Sequence, residues 1–324
     1  MALKYRKNRE DVNFIVGGIG AHDKLFFGLI EYCAINDLPM PLDYVFGSLP
    51  NCSWSGGRID PRIVGDIDQF LLQLCGLISQ YNDYGIGVRM CFSSPLITEE
   101  HLNNEIGVKF LERFNKITKN KLNGVIVSSD LLADMIKENY PNLMLISSTV
   151  KSMCENGPDY KNGSTPEYFN KLAEKYDIVV VEAERCIEDD FLEQLKYRDK
   201  MEFIVNHKCV RYCPLQKNHY ERNAQISQAQ ANEDDELEES LKKEYEDVIF
   251  KGCSKLMRRN PLDSCSVNND VVDKLISMGF RNFKLEGREN HIISMLHEII
   301  YYIFDESCRA EALCLGKLIL NTRI

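Results

Sequence analysis

Short apolar runs recur along the chain, and between them apolar positions repeat every three or four residues. The short runs are Val12–Val16, Asp43–Gly47, Gly85–Phe92, Gly124–Val127, Leu143–Ile146, Asp177–Val181, Glu202–Val205 and Asn282–Glu286. Runs of four to eight residues bounded by turn formers predict strands, and near-continuous hydrophobicity predicts burial on both faces. Helical periodicity covers Lys24–Ile35, Ile63–Tyr81, Leu131–Asn139, Pro166–Lys175, Asp189–Tyr197, Asn268–Met278 and Asn290–Phe304, with a capping tail over Ala310–Leu320. Eight such strands, seven followed fairly directly by a helix, predict an α/β fold: a (β/α)8 TIM-type barrel. A doubly wound open sheet is the alternative, but Gly17-Gly18-Ile19-Gly20 after the first strand lacks the dinucleotide-binding spacing. A tight strand-to-helix turn explains those glycines.

The alternation breaks once. Residues 214–266 form an insertion between strands seven and eight with no clear strand, too long for a routine connection. Within it, 232–247 (NEDDELEESLKKEYED) predicts an acidic, solvated helix. The expected organisation is one barrel domain over residues 1–324 carrying this insertion.

Composition narrows the function class. The chain is 44% hydrophobic and 27% charged, and no apolar run is long enough to span a bilayer. The opening MALKYRKNREDV has no apolar signal core, so a cytoplasmic location without membrane contact is expected, with its twelve cysteines mostly reduced. A formal net charge of −10 argues against nucleic-acid binding as a bulk property, though not against a local basic patch.

In such a barrel the carboxyl ends of the strands carry the chemistry. The seventh strand runs into Asn206, His207, Cys209 and Cys213, and the eighth into Glu286, Gly287 and Arg288. Cys209 and Cys213 are read as thiolate ligands of an iron–sulfur cluster, or alternatively of zinc. Cys253, behind Gly252, is the third candidate, and Cys52 or Cys265 the fourth. Buried inert thiols are the plain alternative, and Cys33, Cys75, Cys308 and Cys314 are read that way. Catalytic or substrate-positioning roles are expected for Glu286, Arg288, Arg89 and His207; His219 is a further loop histidine able to ligate metal or move protons. Arg89, within an apolar strand, needs a partner: Glu286, Glu182 or a substrate anion.

The segment Gly279-Phe280-Arg281-Asn282-Phe283-Lys284-Leu285-Glu286-Gly287-Arg288 resembles the barrel-closing signature of the collagenase-like peptidase family, the peptidase U thirty-two superfamily. The match lies at Gly279, Lys284, Glu286, Gly287 and Arg288, and Cys52 stands where an iron–sulfur branch of that family has an early ligand. The resemblance implies a 4Fe–4S cluster on four cysteines and a redox or oxygen-independent hydroxylation step on a small molecule or an RNA base, with an electron donor or partner protein. The cysteine spacing after Cys213 departs from the family pattern. A metal- or thiol-dependent peptidase or hydrolase, with Cys91 or Cys52 beside His207, is the second expectation. A non-catalytic partner subunit docking through the acidic insertion is the third.

Overall fold

Each strand is only four to six residues long, and both of its faces are dry. The computed structural model describes residues 3–6, 11–59, 62–63, 65–157, 160–259, 263–287 and 291–322. The strands are β1 (Asn13–Gly17), β2 (Tyr44–Ser48), β3 (Gly87–Phe92), β4 (Gly124–Val127), β5 (Met144–Ser147), β6 (Ile178–Val181), β7 (Met201–Ile204) and β8 (Asn282–Leu285). All pair in parallel in sequence order, and β8 returns to β1 through Asn13 opposite Asn282, closing the barrel. Phe14, Val16, Val45, Val88, Met90 and Val125 face outward into the helix layer. Ile15, Phe46, Cys91, Ile126, Ile146, Val180 and Ile204 fill the interior. That alternation in facing explains the unbroken hydrophobic runs.

The helices are α1 (Asp23–Ile35), α2 (Ile67–Asp83), α3 (Glu105–Ile117), α4 (Asp130–Asn139), α5 (Thr149–Glu155), α6 (Tyr160–Gly163), α7 (Pro166–Lys175) and α8 (Asp189–Glu193). The second begins at Ile67 rather than Ile63 because the Asp66 carboxylate accepts from the Gln69 amide at 3.1 Å and caps it there. After the insertion come α12 (Asn269–Ser277), α13 (Ile292–Ile303) and α14 (Arg309–Asn321). Among the described residues no helix is long and apolar enough to cross a membrane.

Most of the described insertion is helical: α9 (Gln216–Ala231), α10 (Asp235–Glu244), a π-helical turn over Tyr245–Phe250, and α11 (Lys251–Arg259), before Ser264 bridges back to Val210. The acidic run expected as one helix over 232–247 is divided. Glu233 takes a left-handed backbone (φ 57°), and Asp234 starts a new helix by accepting from the Leu237 amide at 3.0 Å. The helix α9 has no apolar stripe and was invisible to periodicity. It lies on the barrel mouth through polar contacts, Asn223 donating to the Gly57 carbonyl and Gln228 to the Leu96 carbonyl. Only glycine fits beneath it at position 56, where a Cβ would stand 2.7 Å from Ser94 Cα and 3.0 Å from the Ala224 methyl.

One buried pair corrects an expectation. Arg89 of β3 is 1% exposed and is paired with Glu202 of β7, itself 0% exposed. Its guanidinium also lies 3.9 Å from the centroid of the Tyr44 ring. Its partner is therefore neither Glu286 nor Glu182. A guanidinium so deep in a barrel requires a countercharge, and the facing strand supplies it. Arg89 belongs to the interior and not to the mouth.

Candidate active site at the barrel mouth

Two strand ends are locked together at the mouth. Beyond β7, Asn206 donates its amide to the Glu286 carbonyl and accepts from the Glu286 amide, each at 2.8 Å. The lock holds the next side chains face to face: His207 Nδ1 lies 2.6 Å from Glu286 Oε2. Arg58, from the loop after β2, approaches the same carboxylate oxygen at 3.6 Å. His207 Nε2 is buried with no hydrogen-bond partner among the described residues.

Charge explains how the pair titrates. Burial works against a charged imidazole at His207, yet the Glu286 carboxylate outweighs it and raises the pKa above its ordinary value. Burial also opposes ionisation of Glu286, but His207, Arg58 and Lys284 together hold its carboxyl far below the usual range. Within the pair the proton therefore belongs to the imidazole rather than to the carboxylate. Both ring nitrogens are then donors, one to Glu286 and the other unspent.

The pair borders a cavity of about 410 Å³. Inward-facing Phe46, Cys91, Ile126, Ile204 and Lys284 line it from the barrel, and His219, Tyr220, Tyr245 and Phe250 line it from the insertion. His219 is held there by Tyr245, whose hydroxyl lies 3.1 Å from Nε2. Lys284 is 6% exposed, and its ammonium sits 4.0 Å from the centroid of the Phe46 ring. It makes no hydrogen bond or ion pair among the described residues. Two fixed cations and a protonated imidazole thus face one carboxylate, a positive mouth on a chain of net charge −10.

Near His207 three thiols influence one another's titration. Cys213 is lowered to about 7 by Cys209, helped by the Leu215 backbone N–H, and Cys253 to about 6 by Cys209, helped by the charge on His207. Cys209 correspondingly holds its proton. Cys213 is buried, whereas Cys209 and Cys253 are partly accessible.

The four-cysteine ligand set expected for a 4Fe–4S cluster, and the zinc alternative, are corrected here. Cys52 stands elsewhere, buried and donating to the Asn104 side chain at 3.4 Å beneath the start of α3. Cys265 is buried in the interior cluster, where loss of water raises its thiol pKa. Among the described residues no group of three or more histidine, cysteine, aspartate or glutamate side chains is placed to hold a metal ion.

Of the other expected site residues, the structure brings together Glu286 and His207, and it puts Arg89 in the interior. Arg288 lies outside the described residues. Lys284 and Arg58 were given no role from sequence. The signal for Lys284 was present: a cation between two apolar strand residues, two positions before Glu286.

Comparisons with known proteins add little to this geometry. No protein-family model and no curated protein matches the chain. The chain is similar to a solved structure described as "The Structure of the U32 Peptidase Mk0906", at 12% identity and a TM-score of 0.44 over 67% of this chain and 77% of that one. The likeness is distant and partial.

Proposed function

We propose that the barrel mouth is the active site of a thiol-dependent hydrolase that cleaves a peptide-like acyl bond. The observation that supports this most is His207, which lines the cavity, is joined through Nδ1 to Glu286, and has a buried Nε2 with no partner among the described residues. A nucleophile, a proton carrier and a group orienting that carrier are the parts acyl transfer needs.

Cys253 attacks the acyl carbon as thiolate. His207 gives its Nε2 proton to the departing amine, then takes one from the water that releases the acyl group. Glu286 fixes the ring and favours the imidazolium, as a carboxylate does in other hydrolytic triads. Lys284, aided by Arg58, anchors a substrate carboxylate from the barrel side. Cys253 is taken as nucleophile in place of Cys91 and Cys52 because its thiol is lowered to about 6 by Cys209 and the charge on His207, while Cys52 is committed to Asn104.

The test is hydrolysis of a panel of N-acyl amino acids and activated esters by the wild type, Cys253→Ser and His207→Gln. Loss of the proton carrier is expected to lower kcat by roughly 10²–10⁴-fold, and the serine variant should be at background. Wild-type rates in both variants overturn the proposal.

A further inference from the structure

Two side chains at the barrel-mouth cavity hold unspent bonding capacity: Lys284, a donor from the barrel, and Asn223, an acceptor from the insertion. We infer that Asn223, on α9, is a specificity-determining residue whose Oδ1 accepts the amide N–H of an N-acyl amino acid while the ligand's carboxylate rests on Lys284. This rests on the reading of the mouth as a substrate site and adds what that site recognises.

The acceptor is identified by its neighbour. Asn223 is 1% exposed and lines the cavity. Its Nδ2 donates to the Gly57 carbonyl at 3.3 Å, and because a carbonyl only accepts, the orientation of the amide is fixed. Oδ1 is then the atom Asn223 has left for the cavity, and it is buried with no hydrogen-bond partner among the described residues. A buried acceptor without a donor costs stability, and a ligand N–H removes that cost. Lys284 is the complementary case: 6% exposed, its ammonium over the Phe46 ring, and no ion pair among the described residues.

The rest of the lining sets the ligand's body. Phe46, Ile126 and Ile204 line the cavity from the barrel, and Tyr220, Tyr245 and Phe250 from the insertion, so the ligand is apolar between its two polar ends. A singly charged carboxylate suits these walls better than a dianion, whose desolvation costs more. A volume of about 410 Å³ lies near the lower end of the roughly 300–1,000 Å³ of small-molecule sites, which favours one residue with its acyl cap over an extended chain. Tyr245 and Phe250 stand five positions apart, the hydrogen-bond repeat of the π-helical turn that carries them. With both rings at the cavity, an aromatic or branched side chain is preferred to glycine.

Isothermal titration of the full chain carrying Cys253→Ser, so that ligand is not consumed, tests this. The ligands are the N-acetyl derivatives of phenylalanine, leucine and glycine, with two analogues of the first. In O-acetyl phenyllactate an ester oxygen replaces the N–H, and in N-acetylphenylalaninamide the carboxylate is gone. N-acetylphenylalanine is expected to bind about ten- to hundredfold more tightly than the ester, and more tightly than the carboxamide. Asn223→Leu should abolish the preference for amide over ester. Gln228→Leu releases α9 from the Leu96 carbonyl at a residue outside the cavity lining, and should keep that preference. Equal affinity for amide and ester overturns the inference, and this ligand pair decides even where Asn223→Leu does not fold. A preference that survives Asn223→Leu, or is lost equally in Gln228→Leu, also overturns it, as do a carboxamide bound as tightly as the acid and the absence of saturable binding by any N-acetyl amino acid. Wild-type turnover is followed separately. An amide preference without turnover sinks the hydrolase proposal and leaves this one standing; turnover with equal affinity for amide and ester does the reverse.

Discussion

Removing the guanidinium of Arg89 separates structural from catalytic roles in the barrel. In Arg89→Met the Glu202 carboxylate keeps its position at 0% exposure and loses its countercharge. Breaking a buried pair in this way costs about 3–5 kcal/mol, because the remaining charge is left uncompensated. Replacing both members by apolar residues removes the problem. Arg89→Met with Glu202→Leu is expected near wild-type stability, or about 1–4 kcal/mol above it. Urea denaturation of the four proteins of this cycle gives the coupling directly. The double variant should hydrolyse substrate at the wild-type rate, since neither residue reaches the mouth. A single variant within about 1 kcal/mol of wild type contradicts the burial argument, being well below the cost of an unpaired charge. A stable double variant without activity contradicts the assignment of Arg89 to the interior scaffold.

Charges elsewhere in the barrel set four further outcomes. In Glu286→Gln the carboxylate that raises His207 is gone while burial remains, so the imidazole pKa falls; the alkaline limb of kcat/KM, where the imidazolium is lost, should move to lower pH. The stability that the wild-type pair contributes is fullest between the unfolded values of about 4.5 and 6.5; it fades as pH rises through the raised His207 value or falls through the lowered Glu286 value. Glu182 is wholly buried and its carboxyl is pushed up to about 7 by burial, so it weakens the fold as pH climbs from 4.5 toward 7. Glu182→Gln should stabilise by on the order of 3 kcal/mol at pH 8 and little at pH 4.5, and equal denaturation shifts at both values refute this. Lys284→Met should raise KM for carboxylate-bearing substrates at least tenfold relative to their amides, with kcat less affected; a uniform loss across both classes argues against an anchoring role.

The barrel was legible because its strands are buried on both sides. Runs such as Ile178-Val179-Val180-Val181 carry no polar position to confuse with a helix face. The insertion was legible as an interruption but not as a set of helices. Helix α9 buries Gln216, Asn223, Ser227 and Gln230, a polar face on a polar mouth, so no hydrophobic period marks it. The break at Glu233 depends on a left-handed backbone at a residue with no strong preference for it. At the site, the ends of β7 and β8 pointed to His207 and Glu286, because adjacent strands deliver adjacent ends. The cluster expectation failed where it required a distant loop: Cys52 follows β2, and its sulfur is used at the start of α3. Arg89 was misassigned for a related reason. Facing inward is readable from strand alternation, but which inward residue stands opposite depends on the register of the closed barrel.

The central claim is that Cys253 is the attacking atom and His207 its proton carrier. Intact-mass and peptide mapping of an acyl adduct, after rapid quench with an activated ester, tests it most directly. An acyl group on Cys253, formed in the wild type and slow to clear in His207→Gln, is the predicted result. Turnover with no adduct on Cys253, or with the acyl group on Cys91, contradicts it.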